Sequence, residues 1–201
     1  MDDEPSAPAE SLRFDRVELR RWHMNDLDAL DRATTESLDT LLPWMVWAAG
    51  HDRQATADFL ARTHEDWETG EAFGYAITSG GAVIGSCGLH RRIGAGGLEI
   101  GYWIHPRWTG QGLVTMAAAA LAGQGFRLPG VDRVEIHHDA ANTASGAVPF
   151  RLGFTEVERF HVPGGPAAPG EVGIDVVWRM TVDQWHAAQP VSRPTRAAGQ
   201  A

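Results

Sequence analysis

The stretch Glu99-Ile-Gly-Tyr-Trp-Ile-His-Pro-Arg-Trp-Thr-Gly110-Gln-Gly112-Leu-Val-Thr-Met-Ala-Ala-Ala-Ala-Leu121 decides the fold, because it predicts a strand, a tight turn and a helix in immediate succession. Apolar residues alternate over 98–104, which is the two-residue period of a strand, and Pro106 ends that strand. Gly110 and Gly112 allow a ligand to approach the backbone closely, and the alanines that follow favour a helix. The first N–H groups of such a helix are unpaired and partly positive, so the sequence predicts a pyrophosphate-binding turn.

The same residues exclude other glycine-rich phosphate loops. A Walker loop needs a lysine after its last glycine, whereas all 17 basic residues of this chain are arginine. The missing lysine also excludes Schiff-base chemistry. A dinucleotide-binding fingerprint needs a third glycine where Thr115 stands, and it normally lies in the first strand–helix unit of a chain. The turn is therefore of another kind.

A known motif is similar to this turn. The pattern Arg107-x-x-Gly110-x-Gly112, after a strand with Glu-x-Gly-Tyr-Trp, resembles the acetyl-CoA-binding motif of the GCN5-related N-acetyltransferase (GNAT) superfamily. The segment Asn142-Thr-Ala-Ser145, followed by Leu152-Gly-Phe154, looks like the Rim-type branch, which acetylates the N-termini of ribosomal proteins. The resemblance runs from Leu12 to about Trp185 and includes, in the family's order, Val17–Trp22, Leu42–Trp47 and Val83–Leu89.

The resemblance implies a mixed α/β (α+β) GNAT fold. Its central twisted sheet is mostly antiparallel, with six to seven strands, flanking helices and a splayed central pair that admits the pantetheine arm. Residues 12–187 form the predicted domain, whereas 1–11 and 188–201 are predicted to be disordered tails because they contain little apolar surface. The predicted elements include a first strand over 13–21, a helix that begins at Asp26, a helix over 56–69, a hairpin through 79–81, a helix over 145–152 and last strands over 154–162 and 172–181.

Composition restricts the partners. A net charge of −9 opposes broad nucleic-acid binding, which needs a basic surface, and suits a cationic acceptor. No apolar run reaches membrane-spanning length, the acidic N-terminus is unlike a signal peptide, and the single Cys87 cannot form an internal disulfide, so we expect a cytoplasmic protein. Strand alternation sends His137 and His138 to opposite faces, so no metal site is expected. The oligomeric state is left open by the sequence, with a homodimer as one alternative.

The implied chemistry is the attack of an amine on a thioester, which needs a base, an oxyanion donor and a proton donor for the thiolate. Glu99 lies in the motif strand on the side opposite Leu98 and is the first choice for the base, with Glu36 and His138 as alternatives. The resemblance makes Ser145 the proton donor, although the residue could instead cap a helix. Relatives often place a tyrosine donor at the position of Phe150, which cannot donate a proton.

Cofactor and acceptor contacts are also implied by the resemblance. The backbone amide of Ile104 is the expected oxyanion donor. Trp44 and Trp47 are spaced to share one face of a helix, and they are expected either at the acceptor mouth or in the core. Glu36 and Asp39 fall in the same segment and are expected at the acceptor mouth. The expected acetyl-CoA contacts are Trp103, Ile104, Arg107, Trp108, Thr109, Gly110, Gln111, Gly112, Leu113, Val114, Asn142, Ser145 and Phe150.

Three functions stay open at this point. The first is acetyl transfer from acetyl-CoA to the N-terminal Ser or Ala of a protein, and the second is acetyl or succinyl transfer to a small amine such as an antibiotic or an amino-acid derivative. The third is a non-catalytic acyl-CoA-binding sensor. Cys87 falls in a predicted central strand, where a buried thiol is inert, so we expect direct attack in a ternary complex and no acyl-enzyme.

Overall fold

The computed structural model describes residues 7–188, and residues 1–6 and 189–201 lie outside its description. Eight strands form one sheet in the order β1-β2-β3-β4-β5-β6-β8-β7, and every neighbouring pair is antiparallel except β5 and β6. The strands are β1 (Ser11–Phe14), β2 (Val17–Arg21), β3 (Ala72–Ser79), β4 (Ala82–His90), β5 (Gly97–Ile104), β6 (Arg133–Asp139), β7 (Thr155–His161) and β8 (Ile174–Thr181). The helices are α1 (Leu27–Thr35), α2 (Leu38–Leu41), α3 (Arg53–Thr69), α4 (Leu113–Gly125), α5 (Thr143–Arg151) and α6 (Val182–Ala188).

The predicted mixed fold is confirmed, with one strand more than expected. The single strand predicted over 13–21 is a hairpin of two strands, because Asp15 adopts a left-handed φ of 51° and reverses the chain. Isolated non-glycine residues with positive φ are mostly Asn or Asp, so the turn has the residue type it needs. The sheet therefore has eight strands where six to seven were predicted.

The N-terminal segment is more ordered than its composition predicts. The hydroxyl of Tyr75 donates to the carbonyl of Ala9 at 2.9 Å, and Glu10 forms an ion pair with Arg21 at 2.9 Å. Ala7 packs against the core. The prediction of a disordered tail over 1–11 is thus wrong for residues 7–11, since polar contacts to β2 and β3 hold a segment that has few apolar side chains. The rest of that tail, and residues 189–201 of the C-terminal one, lie outside the described residues.

Two apolar layers cover the two faces of the sheet. Helix α4 packs on one face, where Leu98 and Ile100 of β5 are buried, and α1 and α3 pack on the other, where Trp103 contacts a cluster around Trp22. Glu99 lies on the same face as Trp103, as the alternation predicts. The two faces of β5 therefore pack against different apolar layers. No helix among residues 7–188 is both long and apolar enough to cross a membrane.

The central pair of strands separates along its length. β5 and β6 are paired only at Gly97–Arg133, Leu98–Val134 and Glu99–Glu135, although the two strands contain eight and seven residues. Beyond Glu99 they diverge, and a gap opens between them. The predicted splay is confirmed.

We expect that Tyr75→Phe lowers the free energy of unfolding by about 0.5–1.5 kcal/mol, because the substitution removes the hydrogen bond that ties Ala9 to β3 without opening a cavity. Urea denaturation monitored by tryptophan fluorescence measures this change. An unchanged free energy of unfolding would show that the hydrogen bond from Tyr75 to Ala9 contributes nothing to the stability of the sheet.

Candidate active site

The glycine turn precedes α4, as predicted. Gly110 and Gly112 have φ values of 72° and 75°, which side-chain-bearing residues rarely adopt. No protein atom lies within 4 Å of the position that a Cβ would take at either glycine, so the turn is open to a ligand. The N–H groups in the first turn of α4 have no partner within the helix. The arrangement therefore provides a helix N-terminus that an anion can reach.

Two contacts outside the motif support the turn. Arg16, in the hairpin between β1 and β2, donates to the carbonyl of Gln111 at 2.8 Å. His105 Nδ1 accepts from the backbone N–H of Arg107 at 3.2 Å and caps the short 3-10 helix Pro106–Trp108. Sequence reasoning missed Arg16, since the contact joins residues 95 positions apart. Trp108, expected along a cofactor, is partly buried against the core beside α4.

A cavity of about 560 Å³ extends from the gap between β5 and β6 over the face covered by α1 and α3. Small residues make room for it: Gly88 of β4 stands directly opposite Gly101 of β5, and Gly74 of β3 pairs with Gly88. Seven predicted residues line the cavity: Trp44, Trp47, Glu99, Trp103, His138, Asn142 and Ser145. The others that were predicted do not line it: Glu36, Asp39, Phe150, Ile104 and residues 107–114.

The two tryptophans line the cavity, but not as predicted. Met45 between them is extended, with φ −123° and ψ 102°, so Trp44 lies in a turn and Trp47 in the 3-10 helix Val46–Gly50. They do not share a helix face. The Trp47 ring lies 6.5 Å from the ring of Trp103, and Trp47 is 48% exposed. Neither Trp44 nor Trp47 belongs to a core cluster, which favours the acceptor-mouth alternative over the core.

Glu99 faces the cavity in a fixed ion pair. Arg92 Nε donates to one carboxylate oxygen at 2.7 Å and Nη2 to the other at 2.5 Å. The Glu99 side chain is only 12% exposed. Glu36, the predicted acceptor contact, instead bonds to His105 Nε2 at 3.0 Å, outside the lining of the cavity.

On the α5 side of the gap, two hydroxyl groups meet. The Tyr102 hydroxyl lies 3.2 Å from Ser145 Oγ and also donates to the carbonyl of Ser145 at 3.1 Å. Burial raises the pKa of Tyr102 to about 12, so the phenol stays protonated. The N-cap of α5 is Asn142, whose side chain accepts from the Ser145 N–H at 3.1 Å, and Ser145 Oγ is therefore free of the capping role. Sequence reasoning missed Tyr102, because its alternation with Ile100 indicated core.

The predicted Phe150 contact is not brought to the cavity. Phe150 is 71% exposed and its ring stands edge-on to that of Trp178 at 6.4 Å. Cys87 does line the cavity but is buried, and that burial raises the pKa of its thiol. A thiol held protonated in this way is a poor nucleophile.

Charged side chains of β6 and β8 form a cluster. Glu135, with 5% of its side chain exposed, bonds to His137 at 2.9 Å and to Arg179 at 2.7 Å, and His137 also contacts Asp175 at 3.3 Å. Burial favours the neutral ring of His137, but the hydrogen bonds with Asp175 and Glu135 outweigh it and raise the pKa to about 9. His138 lies on the opposite face, as predicted, and accepts from Trp178 Nε1 at 3.0 Å. No group of three potential metal ligands occurs among residues 7–188.

The raised pKa of His137 predicts a pH-dependent stability. Because the folded protein holds this proton more tightly than the unfolded chain, the contribution is fully present below about pH 6.5 and is lost as the pH rises through about 9. We expect the free energy of unfolding of the wild type, relative to that of His137→Gln, to fall over this range. Urea denaturation at several pH values measures it, with His161→Gln in the exposed strand β7 as the control. A constant difference between wild type and His137→Gln would contradict the pKa of about 9.

Comparison with known proteins agrees with this geometry. The family model described as "Acetyltransferase (GNAT) domain" matches residues 16–155, which run from the hairpin of β1 and β2 to the start of β7. A protein of Bacillus subtilis (strain 168), named "Putative ribosomal N-acetyltransferase YdaF", is 28% identical over 148 residues, 71% of this chain and 79% of that protein.

Solved structures share the fold. A RimL ribosomal L7/L12 alpha-N-protein acetyltransferase in complex with coenzyme A superposes with a TM-score of 0.79 at 21% identity, over 87% of this chain and 99% of that one. The microcin C7 self-immunity acetyltransferase MccE, in complex with acetyl-CoA and AMP, has a TM-score of 0.78 at 18% identity, over 88% and 99% of the two chains. On the family match and the fold together, this chain belongs to the GNAT acetyltransferase family.

Proposed function

We propose that this protein transfers the acetyl group of acetyl-CoA to the N-terminal amine of a protein that begins with Ser or Ala. One observation carries the proposal: a single cavity joins the hydroxyl groups beside the gap, Tyr102 and Ser145, to the aromatic and charged groups on the other face, Trp44, Trp47 and Glu99. A thioester in the gap would thus face an amine that enters from the tryptophan side. The GNAT structures named above, which hold coenzyme A or acetyl-CoA, support the choice of donor.

The glycine turn would hold the pyrophosphate of acetyl-CoA. Its contacts would be backbone N–H groups over 107–114, with the partial positive charge of the N-terminus of α4 behind them. The pantetheine arm would then follow the gap between β5 and β6, where neither strand has a neighbour on its inner edge beyond Glu99. Asn142 and Trp103, which line the cavity, and Ile104, the last residue of β5, complete the proposed donor site.

The leaving thiolate would receive its proton from the hydroxyl pair. Ser145 Oγ and the Tyr102 hydroxyl lie 3.2 Å apart, so a proton that leaves Ser145 can be replaced from Tyr102. The carbonyl oxygen would be stabilised by the backbone amide of Ile104 as negative charge develops on it. With Cys87 buried and protonated, the amine attacks the thioester directly and no acyl-enzyme forms.

The charge of the chain suits a basic protein as acceptor. The net charge of −9 attracts a cationic partner over a distance, and the tryptophans can hold an ammonium group by cation–π attraction, which contributes about 0.5–2 kcal/mol. The names of the Bacillus relative and of the RimL structure point to ribosomal proteins as the acceptor class.

A small amine is the second candidate acceptor. The cavity of about 560 Å³ falls within the range of small-molecule sites, about 300–1,000 Å³. The name of MccE describes a self-immunity enzyme in complex with AMP, which supports an acceptor that is not a protein. The two candidates differ in whether the acceptor continues beyond the cavity as a chain.

We expect peptides with a free N-terminal Ser or Ala to release coenzyme A thiol faster than small amines do, by about ten-fold or more in kcat/KM, because a chain leaving the cavity gains contacts with the acidic surface. A thiol-release assay with matched peptides measures this, and the same peptides with a blocked N-terminus are the control. Faster release with small amines would favour the second candidate. Acetyl-CoA binding without thiol release for any amine would contradict both and favour a sensor.

We expect Gly112→Val to raise the Kd for acetyl-CoA about ten-fold or more, since a branched side chain at φ 75° both strains the turn and covers the N-terminus of α4. Gly130→Val is a matched control: Gly130 has φ 73°, no protein atom near its missing Cβ, and a place beyond the far end of α4. The control should share the loss of stability but keep the affinity. Arg107→Ala should weaken binding less than Gly112→Val. Calorimetric titration measures the Kd of acetyl-CoA for the wild type and the three variants. Equal Kd values for all four proteins would contradict a pyrophosphate site at this turn.

A further inference from the structure

Four histidines line the cavity, and three of them have at least one ring nitrogen engaged. His51 Nε2 contacts Thr35 at 3.1 Å, and His137 is held between Glu135 and Asp175. His138 has both nitrogens in use, since Nδ1 donates to the carbonyl of Asp139 at 2.8 Å and Nε2 accepts from an indole N–H. Each of these three imidazoles therefore has at least one ring nitrogen held by a hydrogen bond or an ion pair.

The fourth, His90, differs from the others. It is the last residue of β4 and is paired with Glu99 on β5. Within the described part of the chain, neither of its ring nitrogens has a hydrogen-bond partner. Burial and the nearby charge of Arg92 hold the pKa of His90 below its usual value, so the ring is neutral at physiological pH. Of the four cavity histidines, His90 is the one with neither ring nitrogen engaged, so its Nε2 is open to an incoming proton.

Gly88 and Gly101 line the cavity, and their missing side chains leave room for the His90 ring beside the gap. A Cβ at Gly88 would lie 3.2 Å from His90 Nε2, and a Cβ at Gly101 would lie 3.5 Å from it. Gly101 is two residues beyond Glu99, at which the pairing of β5 with β6 ends. The Nε2 atom therefore lies over the part of β5 that borders the gap, on the face from which the acceptor enters.

The charged groups around His90 come from the loop after β4 and from β5, α3 and β6. Arg92 and Glu99 form their ion pair next to it, Asp66 of α3 adds a negative charge, and Arg62 and His137 line the same cavity. Arg92 occupies both oxygens of Glu99, so a proton transfer to Glu99 has to disturb two hydrogen bonds. A proton transfer to His90 disturbs none. The carboxylate of Glu99 also stabilises the imidazolium that forms.

We propose that His90 Nε2 is the general base that takes a proton from the acceptor ammonium, with Glu99 as a positioning residue held by Arg92. This inference rests on the proposed acetyl transfer. The ammonium gives one proton to Nε2, and the free amine then attacks the thioester carbon. A nitrogen–carbon bond forms, the carbon–sulfur bond breaks, and the thiolate takes a proton from the Ser145 and Tyr102 pair. The nitrogen then loses its second proton to solvent, and solvent returns one proton to that pair. His90 returns its proton to solvent.

The test is the pH dependence of kcat/KM for the best amine found with the wild type. As the pH falls, the wild type should keep its kcat/KM to about pH 6.5 and lose it only below that value, because the pKa of His90 is lowered from its ordinary value of 6.5. His90→Gln keeps the side-chain volume and should lower kcat at pH 7 by about 10²–10⁴-fold. Its activity should now rise with the fraction of free amine, up to the acceptor's own pKa of about 8. The Kd for acetyl-CoA should stay within about two-fold of the wild-type value.

Two further variants separate the roles. Glu99→Gln should lower the rate and keep an acid limb, moved to lower pH because the carboxylate no longer stabilises the imidazolium of His90. His161→Gln in exposed β7 should behave as the wild type. Free imidazole should restore activity to His90→Ala, whose cavity can take it. A wild-type rate in His90→Gln, or loss of the acid limb in Glu99→Gln alone, would overturn the assignment. Both outcomes require an active wild type, so they are distinct from a failure of the proposed function.

Discussion

The early end of pairing between β5 and β6 is the constraint on which the site depends. After Glu99 and Glu135 the two strands share no ladder, so backbone N–H and C=O groups in the middle of the sheet lack strand partners. Such groups are costly to leave unpaired away from water, and a ligand with amide groups can replace the missing strand. Pairing with β4 on one side and β8 on the other keeps the diverging strands in place. The gap thus belongs to the folded sheet and does not need a ligand to open it.

Features that depend only on residues close together in the sequence were predicted from it. Alternation in β5 separates Glu99 from Leu98 because neighbouring side chains of a strand point to opposite faces. The turn at Gly110 and Gly112 followed from the backbone freedom of glycine, and both residues have positive φ. The α5 segment was also found, with its cap moved to Asn142, since several polar side chains near a helix start compete for the same N–H groups.

Contacts between distant residues account for most of what sequence reasoning missed. Tyr102 meets Ser145 across 43 positions, and Arg16 meets the glycine turn across 95. Neither pair leaves a trace in periodicity, because each depends on how the strands are ordered in the sheet. The extended Met45 between the two tryptophans is a different case, for a spacing of three fits both a helix face and two separate turns.

The composition of β4 is unusual for a strand, and the site beside it gives part of the reason. Glycine weakens a strand interior, yet Gly85, Gly88 and the small Ser86 and Cys87 fill the middle of β4. A Cβ at Gly85 would lie 2.3 Å from the carbonyl oxygen of Trp103, and one at Gly88 would lie 3.0 Å from that of Phe73. Close packing between strands therefore requires these glycines, and hydrogen-bonded neighbours on both edges offset their low strand propensity. The absence of a side chain at Gly88 also leaves the space in which an acceptor amine, His90 and the thioester can meet, so this glycine serves both the packing of the sheet and the proposed chemistry.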